Sequence, residues 1–325
     1  MDAYGGDDAP LVVVKGVLEA LSKEPSLAIQ LTGPIDSLHA FLKDMPVESR
    51  SRIVCVDAPQ VVDMGETPAR AFKDKPQSSI RVGLGLLKQG AADAFVSAGN
   101  TGAVMMAATL DLGRLSGIER PCIATIFPGK RNPFVMVDMG ASVDSKPSHL
   151  MQFARLGLAY AKVALGISQP TLGLLNIGEE TSKGDQRTQA VHVGLTQSEL
   201  PFIGNVEGKQ LFNGAADVVV ADGFVGNVML KFGEGVADLF FDFFKTEARG
   251  SLRTLLGLLL LAPFLKKFKA RYDYREYGGA PLLGVNGVVV IAHGRSDATA
   301  ICNAIMQAHR CVSGNLVSQL QSSLT

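Results

Sequence analysis

The chain has 325 residues, 47% of them hydrophobic, enough to bury a large core, and its 31 basic and 31 acidic residues balance, so no overall field favours nucleic acid. The acidic start, Met1-Asp2-Ala3-Tyr4-Gly5-Gly6-Asp7-Asp8, has no apolar leader core, and no stretch reaches the roughly 18–20 apolar residues that span a bilayer, so neither secretion nor membrane spanning is expected. Cys55, Cys122, Cys302 and Cys311 form no CxxC pair, so a disulfide scaffold is excluded too, and a cytoplasmic protein with reduced, mostly buried thiols is expected.

Short apolar runs alternate with amphipathic stretches along most of the chain, the pattern of βα units around a mostly parallel sheet. Helices are predicted near Pro10–Lys23 and Ile35–Lys43, and strands near Leu27–Leu31 and Arg52–Val56. A helix near Ser78–Lys88 leads into a strand at 94–97 and a helix over Ala103–Arg114. Strands Cys122–Phe127 and Phe134–Val137 are joined by residues 128–133, short enough for a hairpin, so the sheet is expected to be mixed. A long helix over Pro147–Leu165 follows, then a strand Thr171–Leu175, a helix Gln186–Gln197, and strands Phe202–Gly204 and Asp217–Ala221. The helix predicted for Gly226–Thr246 carries Phe232, Phe240, Phe241, Phe243 and Phe244, which points to a core or, preferably, a subunit interface. A strand Gly287–Ala292 and one helix over Asp297–Leu320 close the fold.

Residues 250–271 break this rhythm. Up to Pro263 the polar positions Gly250, Arg253, Thr254 and Gly257 fall on one helical face; beyond it Phe264, Leu265 and Phe268 are interleaved with Lys266, Lys267, Lys269 and Arg271. Two short amphipathic pieces hinged at the proline fit this pattern. The economical reading is one domain, 1–325, with a protruding helical insertion at 247–272.

Chemistry concentrates at five junctions. In the central one, Ala94 to Ala103, an apolar run breaks into Ser97-Ala98-Gly99-Asn100-Thr101-Gly102 and becomes helical. The glycines let backbone approach a ligand, and the helix start offers free N–H groups and the positive end of its dipole to an anion. The others are Asp2 to Pro10, Asp138 to Asp144, Asn176 to Gly184 and Ala221 to Asn227. All but the first follow a predicted strand, at the carboxyl ends where α/β sheets bind ligands. The residues of a strand ahead of Asp2 are missing, so an unpaired sheet edge is expected there.

Asp2, Asp138 and Asp222 read first as groups that orient turns and cap helices, with a substrate contact as the alternative. Lys183, a cation among Gly, Ser, Thr and Glu, can neutralise a phosphate or an oxyanion, or simply pair with Glu179 or Glu180. His293 ends a strand and reads as a core or capping histidine. No Gly-x-Ser-x-Gly elbow is present, which points to direct transfer between bound substrates by positioning and electrostatics.

Six motifs in order resemble the bacterial phosphate acyltransferases of phospholipid synthesis, which act on acyl carrier protein and phosphate. They are Gly5-Gly6-Asp7 with Ala9-Pro10; Ser97 to Ala103; Gly117-Ile118-Glu119-Arg120-Pro121; Asn176 to Glu180 with Lys183-Gly184; Asp222 to Asn227; and Tyr277 to Ala280 with Leu282-Leu283-Gly284. Tyr4 and Ser142 depart from the methionine and asparagine usual there. The resemblance implies a homodimeric, three-layer, Rossmann-like α/β enzyme of the isopropylmalate dehydrogenase and phosphotransacetylase type, without nicotinamide, flavin or metal. It implies transfer of a long acyl chain from acyl carrier protein to inorganic phosphate, the acyl phosphate then serving a membrane glycerol-phosphate acyltransferase. On this reading Gly99, Asn100, Thr101 and Gly102 hold phosphate, Lys183 and Asn227 stabilise developing charge, and Gly5, Gly6, Asp7, Ser97, Asp138, Gly178, Glu179, Asp222 and Gly223 are further substrate contacts. Leu255, Leu258, Leu259, Phe264, Lys266 and Lys267 would meet the inner face of the membrane or the carrier protein. The alternatives are a non-catalytic membrane scaffold for the carrier protein and a nicotinamide-dependent β-decarboxylating dehydrogenase, for which the arginine and aspartate clusters cannot be assembled.

Overall fold

The computed structural model describes residues 1–43, 45–250, 257–265 and 278–324. The elements are α1 (Leu11–Lys23), β1 (Ile29–Gly33), α2 (Ile35–Leu42), α3 (Val47–Arg50), β2 (Ile53–Asp57), α4 (Pro68–Asp74), α5 (Ser79–Lys88), β3 (Ala94–Ser97) and α6 (Thr101–Ala107), which continues as a wider π-helical turn over Ala108–Leu112. Then come β4 (Cys122–Phe127), β5 (Phe134–Val137), α7 (Pro147–Leu165), β6 (Leu172–Asn176), α8 (Gln186–Thr196), β7 (Phe202–Glu207), α9 (Gly208–Leu211), β8 (Val218–Val220) and α10 (Gly223–Gly250). A helix over 257–265, here α11, β9 (Ala280–Leu283), β10 (Val288–Ile291), α12 (Ala298–Ser313) and α13 (Leu316–Ser322) complete the chain.

Eight strands form one sheet in the order β3-β10-β9-β4-β5-β8-β6-β7. The pairs β3–β10, β5–β8, β8–β6 and β6–β7 are parallel, and β10–β9, β9–β4 and β4–β5 are antiparallel. The expected hairpin between β4 and β5 is present. The three antiparallel steps reverse the strand direction, so β3 and β10 run opposite to β5, β8, β6 and β7.

Strand residues alternate between two cores. Val96, Val135, Val137, Val218, Val220, Val288 and Val290 face α1, α7 and α12; Phe95, Phe134, Met136, Val219, Val289 and Ile291 face α5 and α6. Strands buried on both faces read as continuous apolar runs, which is why these were visible in sequence.

The sheet edge expected to be unpaired is filled. Met1 to Ala3 run between β1 and β3: Asp2 bridges Thr32 in parallel, its N–H donates to the Val96 carbonyl, and the N–H groups of Thr32 and Ala3 donate to the Met1 and Thr32 carbonyls. Three residues thus join the parallel β1–β2 pair to the main sheet.

One other expectation changes. The final helix breaks at Gly314-Asn315, where Asn315 turns left-handed at φ 51° and starts α13. Of the insertion, only the helix over 257–265 is described, so the pair of helices expected on either side of Pro263 lies largely outside the described residues. Leu255, Lys266 and Lys267 lie outside the described residues, as does Tyr277.

Candidate active site

A cleft of about 440 Å³ opens over the middle of the sheet. Ile123 and Thr125 of β4, Ala280 of β9 and Ile291 of β10 line it, between Thr101, Gly102 and Met105 of α6 on one side and Gly140, Ala141 and the α10 residues Asn227, Leu230, Lys231 and Glu234 on the other. His293, just past β10, completes the wall. A larger groove of about 710 Å³ between α7 and α13 contains none of the residues singled out from sequence, so volume alone does not identify the site.

The turn that opens α6 is fixed from below. Asp2, buried, accepts from the Ser97 hydroxyl at 2.6 Å, and Ser97 Oγ in turn accepts from the Gly99 N–H at 3.0 Å. Gly5 lies so close that a Cβ there would sit 2.5 Å from the Gly99 nitrogen, which explains a glycine at that position. Gly6 and Asp7 pack on the loop after β10, where the Asp7 N–H donates to the Gly294 carbonyl at 2.8 Å. Asn100 spends its whole amide on structure: Oδ1 caps α6 by accepting from the Ala103 N–H, and Nδ2 donates to the Met64 and Glu66 carbonyls. The N–H groups of Thr101 and Gly102 are then the ones at the helix start without an intrahelical acceptor. They border the cleft.

Across the cleft, Asp138 organises the second wall. Its Oδ1 accepts from the backbone N–H groups of Ile123, Gly140 and Ala141, and its Oδ2 from that of Ser142, all at 2.9–3.2 Å. Burial pushes its carboxyl pKa up, and the four donors pull it back. Ser142 Oγ bonds to Ser145 Oγ and faces inward. Asp222 caps α10 by accepting from the N–H groups of Phe224 and Val225, and Arg187 donates to its other oxygen at 3.1 Å. Gly223 and Gly226 bring α10 against this turn; a Cβ on Gly226 would lie 1.9 Å from the Asp138 carbonyl oxygen. Asn227 is exposed at the cleft, its side chain against Gly140.

The junction after β6, Asn176 to Gly184, is elsewhere. Asn176 holds it by donating to the Lys183 carbonyl, Asn205 donates to the Glu179 and Glu180 carbonyls, and the Glu179 carboxylate accepts from Gln210. Gly178 packs against the methylenes of Lys183, and the lysine is exposed. Gly178, Glu179 and Lys183 are not among the residues lining the cleft. The strand order explains this, because β6 lies two strands beyond β5.

Two groups were missed. Arg187 ties the junctions after β6 and β8 to Ser145, through Asp185, Asp222 and the Ser145 carbonyl. Lys231 and Glu234 meet His293, which the sequence reading had as a core or capping residue. His293 Nδ1 does accept from the Arg295 N–H, but Nε2 faces the cleft, 3.2 Å from Lys231 Nζ. Asn227, Lys231 and Glu234 fall at i, i+4 and i+7, one face of a helix, which is the signal that could have found them.

Solved structures share this architecture. A phosphotransacetylase from Streptococcus pyogenes superposes with a TM-score of 0.62 at 16% identity, covering 92% of this chain and 91% of that one. A branched-chain phosphotransacylase from Enterococcus faecalis gives 0.60 at 12% identity, covering 95% and 97%. The family model described as "Fatty acid synthesis protein" matches residues 1–319. The phosphate acyltransferase of Heliobacterium modesticaldum is 48% identical over 324 residues, 100% of this chain and 96% of its relative; that of Clostridium acetobutylicum is 45% identical, covering 100% and 98%. With a family model over nearly its whole length and relatives this close, the chain belongs to the phosphate acyltransferases of fatty acid and phospholipid synthesis.

Proposed function

We propose that the enzyme transfers a long acyl chain from acyl carrier protein to inorganic phosphate, giving acyl phosphate for glycerophospholipid synthesis. The observation that carries this reading is the cleft of about 440 Å³, which Thr101 and Gly102 at the start of α6 and Asn227 of α10 line together. A phosphate oxygen attacks the thioester carbonyl, charge grows on the carbonyl oxygen, and pantetheine thiolate leaves. Thr101 and Gly102 offer donors to phosphate, and Asn227 offers an amide to the oxyanion. Asn100 acts by fixing the turn. Lys183 contributes charge from the neighbouring junction, and its replacement by alanine is expected to leave less than about a tenth of wild-type turnover. Retention of more would remove it from the chemistry.

The test of the reaction is phosphate-dependent release of thiol from palmitoyl-acyl carrier protein, with the acyl phosphate trapped by hydroxylamine. Thiol release that requires phosphate and yields hydroxamate is the expected result; release without phosphate would mean a thioesterase.

The enzyme is further proposed to work as a homodimer that touches the membrane peripherally and hands its product to a membrane glycerol-phosphate acyltransferase. Along α10 the exposed Val225, Val228, Phe232, Val236, Leu239 and Phe243 recur every three or four residues, the spacing of a helix that packs on another. Phe232 and Leu239 are each 73% exposed, which rules out the core reading for them. On α11 Leu259, Leu260, Leu261 and Phe264 are also exposed. None of the helices among the described residues is long and apolar enough to cross a membrane, so contact would be at the surface. Replacing Leu258 and Leu259 together by glutamate is expected to abolish sedimentation with anionic vesicles while phosphate-dependent thiol release persists. Unchanged vesicle binding would assign this helix to another contact.

A further inference from the structure

The cleft holds a pair of side-chain donors that no motif led to. Lys231 Nζ donates to Glu234 Oε2 at 2.9 Å and lies 3.2 Å from His293 Nε2. The Arg295 N–H already occupies Nδ1 of the ring, at 3.1 Å, so the hydrogen-bond network places the proton of the neutral imidazole on Nε2. That nitrogen then cannot accept from Lys231. Two donors converge on one point at the cleft wall, and the nearby protein acceptor is the Glu234 carboxylate, at 2.9 Å from one and 3.9 Å from the other. Glu234 is itself largely buried.

Two donors facing each other need an acceptor between them, and an oxyanion in the cleft would supply it. Burial and, after it, the Lys231 charge hold the His293 pKa below its ordinary value, with Arg295 acting the same way and Glu234 and Asp7 opposing. The imidazole therefore offers a neutral N–H beside a fixed cation, a pairing suited to a doubly charged phosphoryl group. The His293 loop is also joined to the site's other wall, since the Ala292 N–H donates to the Ser97 carbonyl and the Gly294 carbonyl accepts from Asp7.

We propose that Lys231 Nζ and His293 Nε2 are the side-chain donors that hold inorganic phosphate in the cleft, with Glu234 positioning the lysine. This rests on the acyl-transfer reading for its kinetics, but not for the binding itself. The site would take a phosphoryl dianion, and the phosphate of the carrier protein's pantetheine arm is the other source of that chemistry.

The experiment compares wild type, Lys231→Met, His293→Ala and His293→Gln. Charge-assisted hydrogen bonds are each worth about 10–100-fold in affinity. In Lys231→Met and His293→Ala the KM for phosphate is expected to rise by that factor, with the KM for acyl carrier protein within about threefold of wild type. His293→Gln, which keeps a neutral N–H donor, is expected to recover most of the loss. Orthophosphate should raise the melting temperature of wild type and not that of Lys231→Met, a readout that needs no turnover and is referred to each variant's own phosphate-free melt. A KM for phosphate unchanged in both Lys231→Met and His293→Ala overturns the proposal. A rise confined to the KM for acyl carrier protein, and absent with an acyl thioester of N-acetylcysteamine, overturns it in favour of the pantetheine phosphate. If wild type is stabilised by orthophosphate through Lys231 yet releases no thiol, the acyl-transfer reading fails and the site stands.

Discussion

Replacing Asp138 with alanine is expected to lower the free energy of unfolding by about 2–6 kcal/mol, measured by urea denaturation. The carboxylate accepts four backbone N–H groups drawn from β4 and the turn after β5. An orphaned buried donor costs about 1–3 kcal/mol, and the range counts only the deeply placed Ile123 and Ser142, because water can reach the other two. Against a typical total of about 5–15 kcal/mol this threatens folding outright. Asparagine keeps the acceptor at Oδ1 and loses the one facing Ser142, so Asp138→Asn should cost distinctly less. A loss below about 1 kcal/mol for alanine would mean that the turn holds itself, and Asp138 would return as a candidate substrate contact.

That carboxylate illustrates what the sequence could disclose. Asp2, Asp138 and Asp222 read as turn and cap residues, and in the fold each spends oxygens on backbone N–H groups. Local chemistry of this kind is legible because both partners lie within a few residues. The strands β5, β8 and β10 were legible because both their faces are buried. By contrast β9, four residues including Pro281, was not recognised as a strand, since neither its length nor its composition carries period-two information. The helices Val47–Arg50, Pro68–Asp74 and Gly208–Leu211 are likewise too short for a 3.6-residue period to emerge.

The site was harder to read, because it depends on strand direction. Five junctions rich in Gly, Asn and carboxylates were expected to share one ligand region at the carboxyl ends of the strands. The three antiparallel steps split the sheet into two parallel blocks of opposite sense, so the cleft forms across the sheet face and not at one end. The junction after β3 and those after β5 and β8 border it or brace it; that after β6 is carried past it, with Lys183. The meeting of Lys231 with His293, 62 residues apart, is created by α10 crossing toward the end of β10, and no local pattern records it.

The placement of α10 itself makes the last prediction. Gly226→Ala is expected to cut phosphate-dependent thiol release by about 10²-fold, while Gly233→Ala on the same helix leaves it unchanged. At Gly226 the added Cβ would lie 1.9 Å from the Asp138 carbonyl oxygen and 3.3 Å from the Met139 Cα, both backbone, so the helix must retreat. It carries Asn227 and Lys231 one residue and five residues further on, and a displacement of about 1 Å at reacting groups costs on the order of 10²-fold. Overpacking adds about 1–3 kcal/mol of destabilisation. At Gly233 a Cβ meets nothing within 4 Å, so alanine should stabilise by up to about 1 kcal/mol through helix propensity alone. Thermal melts read beside the kinetics separate the two effects. If Gly226→Ala keeps full turnover, α10 does not present Asn227 and Lys231 to the reaction, and the cleft must find its donors in the turn that opens α6.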